Sequence, residues 1–152
     1  MKVQAEHTVT VRHAIAEVFV FLADGDNNPR WRPEVTEVRL VSGAGTGART
    51  GARYAQTMTG PGGTTLPGDY RLTVCEQPHR LEFEVVAGPG RPSGSFALRE
   101  TAPGETEVTF VLGLALTGPL LAVAALVRTL ARAEVGNLDH LQAALDSRDT
   151  GG

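Results

Sequence analysis

The sequence predicts an α+β domain: a curved antiparallel sheet of about seven strands wrapped around a long C-terminal helix, with two short helices after the first strand. Three observations predict it. Beyond Pro33 the apolar residues recur with a period of two, the resulting runs are separated by hairpin-sized turn clusters, and from Pro119 to Leu145 the period becomes helical. The chain of 152 residues has one domain's length, and its 41% hydrophobic and 20% charged residues are ordinary for a globular protein. Its 18 Gly and 9 Pro exceed the usual combined share of about 12%, as many turns between short strands require.

Gln4–Val11 reads as the first strand. Ile15, Val18, Phe19 and Leu22 follow at i, i+3, i+4 and i+7, the stripe of a short amphipathic helix that stops at the turn Asp24–Pro29. Pro29–Pro33 around Trp31 suits a second brief helix. In the strands, Thr36, Val38 and Leu40 share one face against Glu37 and Arg39. Ala52, Tyr54, Gln56 and Met58 oppose Arg53, Ala55, Thr57 and Thr59, and Tyr70, Leu72 and Val74 oppose Arg71, Thr73 and Cys75. Leu81, Phe83 and Val85 alternate with Glu82 and Glu84, Gly94, Phe96 and Leu98 with Ser95, Ala97 and Arg99, and Val108, Phe110, Leu112 and Leu114 with Glu107, Thr109 and smaller residues. Such alternation means one solvated and one packed face. Gln77-Pro78, Ala87–Pro92 and Ala102-Pro103-Gly104 are the turns. The cover is the helix Pro119–Leu145, with Leu120, Val123, Ala124, Val127, Leu130, Ala131, Leu138, Leu141 and Leu145 in one stripe. Residues 1–146 are expected to form this single domain and 147–152 a frayed tail.

Several function classes are disfavoured. The net charge of −3 carries no basic footprint, and the basic residues are not interleaved with aromatics, so no nucleic-acid partner is expected. The single cysteine, Cys75, excludes an intrachain disulfide framework. His7, His13, His79 and His140 have no metal-site spacing, so neither metal nor cofactor is expected. Gly43–Ala48 fits a GxGxxA pattern, but an alternating strand follows where a nucleotide site needs a helix N-terminus. Phe110–Val127 is free of charge, yet Gly118-Pro119 divides it, so it reads as a last strand plus the start of a helix, with no stable membrane span. Met1–Val11 lacks the apolar run of a secretory signal, and the expectation is a cytoplasmic protein, monomeric or homodimeric.

Five segments then carry a family likeness: Ala16–Leu22 followed by Asp24, Pro29-Arg30-Trp31-Arg32-Pro33 leading into Val35–Leu40, Gly47–Tyr54, Pro78–Phe83, and Asn137-Leu138-Asp139-His140-Leu141. Over roughly residues 3–145 the chain resembles the helix-grip fold of the START/SRPBCC superfamily, and within it the polyketide cyclase/dehydrase-like proteins. The resemblance implies a cavity between sheet and long helix that holds a small hydrophobic or amphipathic molecule, lipid- or polyketide-like. Small residues at Ala52, Gly94, Ala124 and Ala131 point the same way, because they leave room.

Glu134 is the most informative residue. It sits on the apolar stripe between Leu130 and Leu138, and its helix neighbours Leu130, Ala131, Asn137 and Leu138 offer no cation. A carboxylate there needs water, a tertiary donor or a polar end of the cavity. Tyr54, Gln56, Met58, Tyr70 and Glu134 form the candidate polar set, with Thr36 a weaker member and Trp31 at the cavity mouth. Phe83, Phe96, Phe110, Val127 and Leu130 complete the expected wall. If the protein is an enzyme, Glu134 is the proton shuttle on an enolisable carbonyl, and Tyr54 or Gln56 steadies the developing oxyanion. Two other readings stay open: a non-catalytic carrier or sensor of the same ligand, and an interaction module without a cavity.

Overall fold

The computed structural model describes residues 1–42, 50–88 and 90–150. β1 (Lys2–Val11) leads through α1 (Ile15–Ala23), a 3-10 turn (Gly25–Asn27) and α2 (Asn28–Trp31) into the strands. These are β2 (Val35–Ser42), β3 (Arg53–Thr59), β4 (Thr65–Pro67), β5 (Tyr70–Glu76), β6 (Arg80–Val85), β7 (Ser93–Ala102) and β8 (Glu105–Ala115). A 3-10 segment (Gly118–Val123), α3 (Ala124–Gly136), a second 3-10 turn (Asn137–His140) and α4 (Leu141–Thr150) follow. All the described strands join one antiparallel sheet in the order β1-β8-β7-β6-β5-β3-β2, with β4 beside β3. The α+β class and the sheet-and-helix architecture are those the sequence predicts.

Alternation explains which face is packed. Tyr54 and Gln56 of β3, Leu81 and Phe83 of β6, Phe96 and Leu98 of β7, and Val108, Phe110 and Leu112 of β8 are all buried, whereas the residues between them reach solvent. Phe83, Phe96 and Phe110 form a contiguous aromatic layer, with ring centroids 4.4 to 6.2 Å apart. Trp31 meets Phe96 and Phe110 edge-on at 6.0 and 6.2 Å, which anchors α2 to the sheet.

Of the four register shifts among the described strands, two move a residue off its expected face. In β2 the pairing passes from Val35↔Met58 to Glu37↔Thr57, so Thr36 leaves the face it was expected to share with Val38. Thr36 is exposed, and its hydroxyl donates to the Thr57 carbonyl at 3.2 Å. In β5 the pairing passes from Leu72↔Phe83 to Val74↔Glu82 and Cys75↔Leu81. Cys75 was expected to face outward; the bulge turns it toward Leu81, where it is half-buried against the core and burial pushes its thiol pKa up. The strand Thr65–Pro67 was not expected. Flanked by Gly and Pro it reads as loop, and Pro67 is tolerated because β4 borders a single strand, β3.

The C-terminal cover is the long helical segment the sequence predicts, and it extends beyond Leu145. Helical turns follow one another from Pro119 to Thr150, with one 3-10 segment at the beginning and another at Asn137–His140. The first is bounded by Gly118 at φ 57° and by Val123 outside helical geometry. Gly136 and Asn137 are poor helix formers, and α3 ends there. The expected stripe therefore divides. Leu138, Leu141 and Leu145 are fully buried, whereas Val123 and Leu130 join Leu121 and Leu126 among the exposed apolar residues. At the far end, His13 stands between Glu17 of α1 and Asp146 of α4, and Asp146 also accepts from Gln142 at 2.9 Å. This arrangement holds α4 against α1 through the residue that borders the tail expected to fray. No described helix is long and apolar enough to cross a membrane. Gly43–Ala48 lie outside the described residues.

Candidate functional site

A cleft of about 340 Å³ opens between the inner face of the sheet and α3. The sheet supplies Leu72, Leu81, Phe83, Phe96 and Leu112 to its wall, and α3 supplies Val127, Leu130, Ala131 and Glu134. Pro61, Leu66 and Pro67, in and before β4, line it from the β3 side. Against this apolar lining stand Asn28, Arg32, Glu34, Gln56, Tyr70 and Glu134.

The local structure explains how the polar residues converge. Asn28 and Arg32 are four residues apart across α2, so both project from one side, and Trp31 fixes the orientation of that short helix through its ring contacts. Asn28 Nδ2 donates to Gln56 Oε1 and to Tyr70 Oη, each at 2.9 Å. Arg32, whose guanidinium lies 5.8 Å from the Trp31 ring centroid, donates through Nε to Glu134 Oε1. Their side chains are 9% and 13% exposed, so this ion pair is largely shielded from water. Asn137 Nδ2 donates to Glu34 Oε2 at 2.8 Å, which ties the start of β2 to the end of α3.

Tyr70 stacks on Tyr54 with centroids 5.2 Å apart. Burial pushes the Tyr70 phenol well above its ordinary value, against the opposing effect of the Asn28 hydrogen bond. Burial raises Tyr54 too, opposed by a backbone hydrogen bond from Gly25. Both phenols are therefore neutral at physiological pH. A neutral Tyr70 that accepts from Asn28 still has its own hydrogen to donate.

Of the residues the sequence singles out, Gln56, Met58, Tyr70, Phe83, Phe96, Val127, Leu130 and Glu134 line the cleft. Trp31, Tyr54 and Phe110 instead pack behind the wall, Trp31 and Phe110 within the aromatic layer and Tyr54 beneath Tyr70. Thr36 lines a separate groove on the outer face with Glu37 and Thr57. Among the small residues expected to leave room, Ala131 lines the cleft, but the space beside Gly94 is filled by the Phe83 ring. Sequence reasoning missed Asn28, Arg32, Glu34 and Asn137. Asn28 reads as a turn residue, whereas Arg32 had a signal, since Glu134 on an apolar stripe demands a cation from somewhere. Among the described residues no cluster of three or more His, Cys, Asp or Glu is placed to hold a metal ion.

An antiparallel sheet that clasps a C-terminal helical segment across an apolar cleft is the helix-grip fold the sequence predicts. A protein from Thermus thermophilus has the same fold at TM-score 0.77 and 18% identity, covering 97% of this chain and 99% of that one. So do the Zhui aromatase/cyclase from a Streptomyces species (0.73, 16% identity, 95% and 92% covered) and a START superfamily protein from Mycobacterium smegmatis (0.68, 16%, 95% of each). No curated protein matches the sequence significantly. The chain belongs to the family described as polyketide cyclase/dehydrase and lipid transport, whose sequence profile matches residues 2–146.

Proposed function

We propose that this protein binds one small amphipathic molecule, lipid- or polyketide-like, with its apolar body against Leu72, Phe83, Phe96, Val127 and Leu130 and its polar group at Asn28, Gln56 and Tyr70. The observation that carries the reading is the cleft itself: about 340 Å³, lined chiefly by apolar side chains, with one hydrogen-bonded polar trio. The family description and the fold shared with an aromatase/cyclase support it. Carriage is the form the geometry favours. Glu134 Oε1 is engaged by Arg32, and neither phenol is poised to ionise near neutrality.

Catalysis on an enolisable carbonyl is the second reading, favoured by Glu134 and Tyr70 lining the same cleft. In that case Gln56 or Tyr70 takes the oxyanion role, because Tyr54 lies behind the wall. Native mass spectrometry of the purified protein tests ligand binding, together with titration of the neutral fluorophore N-phenyl-1-naphthylamine. The expected result is a retained apolar molecule or saturable fluorophore uptake, weakened several-fold in Tyr70→Phe. A bare chain mass with no uptake overturns the reading.

A further inference from the structure

At the polar end of the cleft, hydrogen-bond donors remain unspent while the cation is already paired. Whichever way the amides of Asn28 and Gln56 are turned, their contacts with each other and with Tyr70 consume two hydrogens, one per bond. The trio therefore keeps N–H or O–H hydrogens with no acceptor among the described residues. Gln56 and Tyr70 are each more than nine-tenths buried, yet both line the cleft. Because both residues line the cleft, these hydrogens are presented to an acceptor on a bound molecule.

The charged groups tell the complementary half. Arg32, Glu34 and Glu134 are the charged side chains among the described residues of the wall, and together they carry one net negative charge. Arg32 is held by Glu134. Glu34 is met by a neutral amide, Asn137, at 2.8 Å. Among these wall residues no cation is left over to receive an anionic headgroup.

We propose that the cleft selects an uncharged ligand bearing a carbonyl oxygen and refuses a carboxylate, and that Glu134 sets this choice by occupying Arg32. The inference rests on the ligand-binding reading and adds the chemical class of the ligand's polar group. A carbonyl oxygen exchanges water hydrogen bonds for those of the trio. A carboxylate in the same place lies next to two acids, with Arg32, the cation among the described wall residues, already paired. Glu134 is thus a specificity residue that acts through Arg32. Once freed, the guanidinium fork matches a carboxylate in two parallel hydrogen bonds.

The test is competition against bound N-phenyl-1-naphthylamine by two ligands of equal chain length, 2-decanone and decanoate, at mildly alkaline pH where decanoate is ionised. In the wild-type protein 2-decanone is expected to displace the fluorophore about a hundredfold more effectively than decanoate. Glu134→Gln is expected to raise decanoate affinity by about tenfold or more relative to 2-decanone measured in the same variant. The double variant Arg32→Gln/Glu134→Gln, which leaves neither member of the pair charged, is expected to lose that gain. Equal displacement by the two ligands from wild-type protein overturns the inference without any variant having to fold. A folded Glu134→Gln that gains no decanoate affinity, or a double variant that keeps the gain, removes Glu134 and Arg32 from the selection. Absence of fluorophore uptake by wild-type protein overturns the binding reading itself, an outcome distinct from the others.

Discussion

Tyr54 and Tyr70 are the chain's two tyrosines, and burial raises both phenols above the ordinary value of 10.0, Tyr70 further than Tyr54. The sign of the consequence follows from linkage. A phenol raised in the native state contributes stability that is fully present below its unfolded value and is lost as pH rises through the native one. Alkaline titration is therefore expected to show little tyrosinate absorbance at pH 10.0, with both phenols ionising above it as the fold weakens. A tyrosine that ionises at its ordinary value in folded protein contradicts this. Tyr70→Phe removes the acceptor of one Asn28 N–H, and urea denaturation is expected to show a loss of about 1–2 kcal/mol.

Between β1 and β2, two short helices and a 3-10 turn bring Asn28 and Arg32 to the cleft, and one glycine sets how closely they approach. A Cβ at Gly25 would lie 2.3 Å from Tyr70 Oη and 2.6 Å from the Tyr54 ring. Gly25→Ala is thus expected to destabilise by about 1–3 kcal/mol and to displace the tyrosine pair. The contrasting position is Gly136 at the end of α3, where a Cβ would meet nothing within 4 Å. Gly136→Ala is expected to stabilise by about 0.5–1 kcal/mol through helix propensity. Denaturant midpoints of the two variants, measured side by side, check the pair; a neutral Gly25→Ala would show that the turn moves freely away from the tyrosines.

At the scale of the molecule, the ends of the chain meet at His13. Its hydrogen bond to Asp146, then that of Gln142, holds the Asp146 carboxyl below its ordinary value of 3.8. A carboxyl lowered in the native state stabilises above its unfolded value and loses that contribution as pH falls through the native one. Circular dichroism melts taken at successively lower pH are expected to show Tm declining below pH 3.8. Asp146→Asn is expected to have a lower neutral-pH Tm and a shallower acid limb. If the variant and the parent decline in parallel, Asp146 does not carry the acid response.

The alternation of Leu81, Phe83 and Val85, or of Val108, Phe110 and Leu112, determined the strands and their packed face without reference to anything distant, because side-chain direction in a strand depends only on position. The helical period from Pro119 likewise determined that a helical cover exists, and Glu134 stood out as a carboxylate on an apolar stripe. Tertiary structure alone decided the rest. Bulges at Thr36 and beside Cys75 arise from cross-strand register, which local pattern does not encode. The Arg32–Glu134 pair spans 102 positions of sequence, so no neighbour of Glu134 on its helix revealed its partner. Whether an aromatic side chain lines the cleft, as Phe83 and Phe96 do, or packs behind it, as Trp31, Tyr54 and Phe110 do, was also beyond the pattern. All five are buried, and periodicity reports burial, whereas a cavity wall is defined by what lies across the gap.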